Sequence, residues 1–341
     1  MIYCEDDFIY ETHRNSTENT NSKFDIRLQS QWNSGVEKGY FRYRLNIKHA
    51  RVLPGKYSFL AQLNVDRHLN RRAPEKITGI SQPFDATKFN FTKVKKEEYL
   101  FEIKNKSRID SVGHFLIINV SPLEYGHTLL LPDLFNCLPQ VVTLESIQLI
   151  VEVLLLSGSP ALRVGFNGLC AFASVNHLHY HLYYLQHHML LEHIKVDHLS
   201  GPCYQLVEYP APGFVFQLPE NRSIVDLARS VYCLTSFLQN ANIPHNLYLT
   251  RGSRLDIPDA GQAYSTVRVY VWARKLSAAC KDLDAFNPAL CELFGHFIIK
   301  TEPEYSSLTE EKVAAVLSDI CQEPFADIQE NVRQLFEHHD T

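Results

Sequence analysis

The chain has 341 residues, 45% of them hydrophobic and 21% charged, with a formal net charge of −5. That is length for about two domains and apolar material for a packed core. The negative balance speaks against a nucleic-acid binder, which carries a basic field. The longest apolar run, Leu149 to Leu156, is broken by Glu152 and falls well short of the roughly 18 residues of a membrane span.

In chain order, Met1 to Ser22 is acidic and polar. It is expected to be poorly ordered and is unlike a secretory signal. "FDIRLQSQWNSGVEKG" predicts an amphipathic helix ending at Gly39. A strand-rich block follows, through "YFRYRLNIKHARVLPGKYSFLAQLN", "FNFTKV", "EEYLFEIK", "HFLIINVSP" and "GHTLLLPD". Thr143 to Leu156 has helical apolar spacing. Gly and Pro in "SGPCYQLVEYPAPGF" mark a passage between domains, giving a boundary at 205/206. A helix over 223–239 and the strands "NLYLTRG" and "TVRVYVWARK" come next. Two terminal helices close the chain, the first opened by Ser307-x-x-Glu310 as a capping box. Gly126-His127 and Gly295-His296 each precede an apolar strand, a polar loop and a helix, a faint echo of two related halves. The eight cysteines include no C-x-x-C pair. Scattered in this way they imply a reduced, cytoplasmic protein.

"NHLHYHLYY" (176–184) carries the chemistry. On a strand, His177, His179 and His181 share one face at roughly 6 to 7 Å steps, with Leu178, Tyr180 and Leu182 facing the core. From the residues alone three readings stand: a polar strand face, a zinc site, or a histidine nucleophile acting on phosphorus. "QHHMLLEH" downstream offers no ligand spacing and reads as a solvated loop or short helix. The preceding "GFNGLCAFASVN" favours the nucleophile. Its small residues let backbone N–H groups approach a phosphate, and Asn167, Gly168, Ser174 and Asn176 add donors.

H-x-H-x-H between apolar residues resembles the histidine-triad superfamily of nucleotidyl hydrolases and transferases. With "QPFDATKFNFTKV", "NVSPLEYGHTLLLPD", "VRVYVWARK" and "FNPALCELFGH", residues 24–340 look like the GDP-D-glucose phosphorylases of animals, and somewhat less like the GDP-L-galactose phosphorylases of plants. The resemblance implies an α+β fold of two related histidine-triad-like halves, each an antiparallel sheet with packed helices. The N-terminal half (23–205) would be catalytic and the C-terminal half (206–341) would lack the triad. It implies phosphorolysis of GDP-glucose to GDP and glucose 1-phosphate through a GMP-histidine intermediate. His179 would be the nucleophile, His177 would orient it or bind phosphate, and His181 stands where the plant enzymes have glutamine. Asn90 would contact base or ribose, Lys93 is read either on that pocket face or as solvated, and Asn119 leads into the turn at His127. His127 itself reads as a buried histidine bonded to backbone. GDP-hexose and inorganic phosphate are the expected partners, with no nucleic acid, membrane, cofactor or metal, and with room for a homodimer. Rival readings are a nucleotide-sugar hydrolase releasing GMP, a GDP-L-galactose phosphorylase, a metal enzyme and a non-catalytic nucleotide sensor. Arg251, Arg268, Arg274 and Lys275 read either as completing the nucleotide site or a dimer contact, or as solvated strand edges.

Overall fold

The computed structural model describes residues 1–14, 22–71, 75, 77–108, 113–256, 263–277 and 285–337. Strands β1 (Ile2–Tyr3) and β2 (Thr12–His13) precede helix α1 (Lys23–Glu37). Ser22 caps α1 by accepting from Asp25 N at 3.0 Å. Next come β3 (His49–Val52), β4 (Leu60–Leu63) and the short helix α2 (Val65–Asn70). Strands β5 (Tyr99–Asn105), β6 (His114–Ile118) and β7 (Thr128–Leu131) lead to helix α3 (Leu144–Leu156). Then follow β8 (Leu162–Asn167), β9 (Tyr180–Tyr184), β10 (Asp197–Ser200), β11 (Cys203–Leu206) and β12 (Gly213–Gln217). Helix α4 (Ile224–Asn240), β13 (His245–Gly252), β14 (Ala263–Tyr264) and β15 (Thr266–Ala273) continue the chain. It ends with α5 (Leu290–Leu293), β16 (His296–Ile299), α6 (Glu302–Ser307) and α7 (Glu310–Glu337).

This is an α+β protein built on one 11-stranded sheet, in the order β1-β5-β6-β7-β9-β8-β13-β15-β12-β11-β10. Apart from the parallel β1–β5 pair, each half contributes an antiparallel set. The two sets join edge to edge where β8 pairs with β13, from Asn246 opposite Asn167 to Leu249 opposite Val164. Side-chain alternation on β13 sends Leu247 and Leu249 to one face and Tyr248 to the other. The first face packs under α3 and α4. The second packs with Trp272, Phe294 and Phe297. Helix α3 is buried nearly all round, which explains its apolar composition.

Four expectations change. Ile2–Tyr3 pairs with Lys104–Asn105, and Thr12–His13 pairs with Ala263–Tyr264, so residues 1–14 are tied to sheets and are not loose; residues 15–21 lie outside the described set. The boundary expected after 205 falls inside β11, whose residues pair with β12 of the C-terminal half. Ser307 ends α6 and does not open a helix. The Glu310 carboxylate instead accepts from Lys56 N and Tyr57 N, both at 2.9 Å, and a single 28-residue helix runs on through Pro324. The glycine–histidine echo is local: Gly126 and Gly295 both have positive φ (70° and 98°). Yet β7 lies inside the large sheet, whereas β16 pairs with β4 in a three-stranded one.

"QHHMLLEH" takes the short-helix reading, as a 3-10 turn at Leu190–Glu192, and is not solvated there. Glu192 is wholly buried against Arg163 of β8. Arg163 also donates to Pro160 O, Leu185 O and Thr250 Oγ1 of β13. Burial alone would raise the Glu192 pKa, but the guanidinium overrides it and holds it at about 2. Glu192→Ala leaves that guanidinium buried without a counter-charge. The expected cost is about 3–5 kcal/mol in denaturant unfolding. A loss under about 1 kcal/mol would mean the pair does not hold this seam.

Candidate functional site

Regular β9 pairing starts at Tyr180, so of the three histidines only His181 sits in the ladder, opposite Leu129 and Gly165. His177 and His179 occupy the chain just before it. Alternation still holds, because Leu178, Tyr180 and Leu182 enter the core on the opposite side. The rings of His179 and His181 are 5.2 Å apart, and Phe91 lies 5.0 Å from His179 and 5.7 Å from His177.

Backbone partners fix the tautomers of His177 and His179 directly and that of His181 through His127, since a carbonyl only accepts and an amide N–H only donates. His179 Nδ1 is 2.7 Å from His177 O, so Nδ1 carries the proton and the lone pair lies on Nε2. His177 Nδ1 accepts from Phe91 N at 3.1 Å, and its Nε2–H donates to Leu134 O at 3.1 Å. Both ring nitrogens of His177 are thus committed. The expectation that its ring binds phosphate fails; it orients His179 through its own carbonyl. Leu123 N donates to His127 Nδ1 at 3.1 Å, so His127 Nε2–H donates to His181 Nδ1 at 3.0 Å. His181 therefore presents Nε2–H. His127 is buried and backbone-bonded as expected, and it also sets the third triad histidine. Gln140 holds the main chain of His179. Its Oε1 accepts from His179 N at 2.9 Å, and its Nε2 donates to His179 O and Asn167 O.

His179 and His181 line a cavity of about 730 Å³. Phe89, Phe91, Tyr40 and Phe41 give it aromatic walls, and Glu97, Glu98, Lys95 and Asn119 a polar rim. A second chamber of about 130 Å³ adjoins it and reaches residues 287–292 of the C-terminal half. Arg67, Arg71, Ser174 and His181 line both. Arg67 lies in α2 and Arg71 follows it as the C-cap residue, in an extended backbone, and the two like charges repel. Among the described residues neither forms an ion pair. Burial, then Arg67, lowers the Arg71 pKa.

The other candidates divide. Asn119 and Ser174 face the large cavity, and Asn167 lines the small one. Asn167 Oδ1 is already used, accepting from Asn246 Nδ2 at 2.9 Å and Leu290 N at 3.0 Å. Asn90 does not face the cavity: "FNFTKV" is a 3-10 turn, not a strand, and Asn90 Oδ1 caps it through Thr92 N. Lys93 Nζ is tied to Ala86 O at 2.7 Å and Lys88 O at 2.5 Å. Gly168 N donates to His245 O at 3.1 Å, and a Cβ there would meet that oxygen at 2.6 Å. Its glycine serves strand approach, not phosphate. Asn176 accepts from Gln140 N and donates to Gln82 O and Pro83 O. The C-terminal Arg251, Arg268 and Arg274 are no more than 1% exposed. They donate to backbone carbonyls such as Ser157 O, Ser253 O and Pro288 O, so they are neither strand edges nor ligands. Lys275 faces Asp319 and Glu323 at the surface. Arg67 and Arg71, the residues the sequence reading missed, were signalled only by the basic run 67–72 in an acidic chain.

The family description "GDPGP1-like, N-terminal domain" matches residues 23–183, and "GDPGP1-like, C-terminal domain" matches 188–339. The chain belongs to the GDPGP1-like family. It is 43% identical over 343 residues to GDP-D-glucose phosphorylase 1 of Danio rerio, covering 99% of this chain and 97% of that one. It is 34% identical to GDP-L-galactose phosphorylase 2 of Arabidopsis thaliana, covering 85% of this chain and 70% of that one. The solved structure of yeast Ap4A phosphorylase Apa2 with AMP superposes with a TM-score of 0.61 at 15% identity, over 87% of this chain and 96% of that chain, and so shares the fold. No described helix is long and apolar enough to cross a membrane. Among the described residues no three His, Cys, Asp or Glu side chains converge to hold a metal ion.

Burial drives the pKa of His177 down to about 4, and those of His127 and His181 well below the ordinary value. The unfolded chain takes up protons on these rings near pH 6.5, whereas the folded chain does not. Their contribution to stability is therefore complete above about pH 6.5 and is lost as the pH falls towards about 4. The melting temperature should drop between about pH 7.5 and 5.5, before most carboxylates titrate. A flat profile across that window would contradict a neutral histidine cluster.

Proposed function

We propose that the chain is a GDP-D-glucose phosphorylase working by two displacements at His179. In the first, His179 Nε2 attacks the α-phosphorus of GDP-glucose. The bond from that phosphorus to the bridging oxygen breaks, and glucose 1-phosphate leaves. In the second, an oxygen of inorganic phosphate attacks the same phosphorus, the N–P bond breaks, and GDP is released with His179 restored. The observation that carries this reading is the 2.7 Å bond from His179 Nδ1–H to His177 O, which puts the lone pair on Nε2 of a cavity-lining ring. The activities named for the relatives agree with it.

Charge is handled by groups around that ring. Arg67 and Arg71 neutralise phosphate oxygens, and His181 Nε2–H, with Ser174, donates to them. His181 has its pKa pushed well down by burial and then by His179 and Arg67, so near neutral pH it is a neutral donor and not a cationic acid. That suits a leaving group needing little protonation, such as a sugar phosphate, and favours phosphorolysis over hydrolysis. We assign the protein to the cytosol, since its cysteines are scattered along the chain and include no C-x-x-C pair.

Incubation with GDP-glucose labelled in the guanosine should yield a protein-bound GMP that inorganic phosphate discharges as GDP. His179→Asn should take no label and lose about 10⁴-fold or more in turnover. GMP release without phosphate should be at least about tenfold slower than GDP formation with it. Unlabelled parent protein with undiminished turnover would sink the covalent route.

A further inference from the structure

The two cavities meet at a neck made by Arg67, Arg71, Ser174 and His181. His179 lines only the larger one. A substrate whose α-phosphorus lies at His179, with its phosphates on the two arginines, has one moiety in the large aromatic cavity. Its other end continues past His181. The chamber there is small, about 130 Å³; Leu123, Leu290 and Ile298 give it apolar surface, and its polar groups come from both halves, Asn64 from the first and Asn287 and Glu292 from the second.

Asn64 carries the decisive detail. It is 1% exposed. Its Oδ1 caps α2 by accepting from Arg67 N at 3.1 Å. Its Nδ2 has no hydrogen-bond partner among the described residues. A buried amide N–H₂ left without an acceptor is unfavourable, and native structures keep few of them. A ligand rich in oxygen acceptors would supply the missing partner. The large cavity, with four aromatic side chains, suits a flat base; the small chamber offers amides and suits a polyol.

We propose that the second chamber is the leaving-group subsite, holding the hexose ring of a nucleoside diphosphate hexose, and that Asn64 Nδ2 donates to one of its oxygens. The assignment rests on the function proposed above for the same site. It makes Asn64 a specificity residue for the sugar, supplied by the residue that also caps the phosphate-binding helix.

Serine also caps helices, so Asn64→Ser keeps α2 while removing the amide. Asn287→Leu alters the facing wall without touching the cap. Each is tested in the full chain carrying His179→Asn, so that binding is read without turnover. Calorimetry with GDP-glucose should show affinity weakened about tenfold or more in both variants, with GMP affinity kept within about twofold. Equal weakening of both ligands, or unchanged GDP-glucose affinity in either variant that keeps the parental melting temperature, would overturn the subsite. Turnover of GDP-glucose by the unmodified chain is measured alongside. Its absence would sink the phosphorylase reading by itself, while selective loss of the sugar nucleotide would still report on the chamber.

Discussion

A carbonyl oxygen has no proton to give. That constraint, applied by His177 O to the ring of His179, decides which nitrogen of His179 is basic, and the rest of the site serves to keep the two groups in register. The His177 ring is pinned on both nitrogens, so its carbonyl cannot swing away. Gln140 holds the His179 backbone by N–H and C=O together. Asn176 in turn accepts from Gln140 N. None of these groups need touch a substrate. They convert a flexible imidazole into one with a set direction and tautomer, which lowers the reorganisation a reaction has to undergo.

The C-terminal half contributes to the same end from a distance. Asn246 ties β13 to Asn167 Oδ1 and Ala171 O, at 2.9 Å each. Arg274 donates to Asn246 Oδ1 and lies 4.9 Å over the ring of Phe172. Cys170 and Phe172 both adopt positive φ, a backbone state that costs energy in non-glycine residues and persists where surroundings enforce it. The half without the triad thus acts as the mould for the loop that precedes it.

Much of the fold was legible because its signals are periodic. Helices α1, α3 and α4 follow apolar spacing, and β15 follows a run of β-branched and aromatic residues. The alternation at 177–181 correctly separated a core face from a polar face, even though the ladder begins only at Tyr180. What failed was residue type read without geometry. Asn90, Gly168 and Asn176 are polar or small beside the site, yet Asn90 Oδ1 is spent accepting within its own turn, and Gly168 and Asn176 donate to His245 O and Gln82 O, distant in sequence; Lys93 takes the exposed one of its two readings. Arg67 and Arg71 were missed for the converse reason. Arg67 lies on a six-residue helix and Arg71 just after it, far from the motif in sequence, and only the tertiary fold brings them to His181.

The ladder between β8 and β13 has a consequence for how ligands come and go. Swinging one half away from the other would tear a row of backbone hydrogen bonds in the middle of the sheet, so the molecule has no clamshell. Entry and exit therefore fall to the segments around the cavity mouth, near residues 39–42 and 95–98, whose motions belong to the nanosecond-to-microsecond range of loops and not to the slower closure of domains.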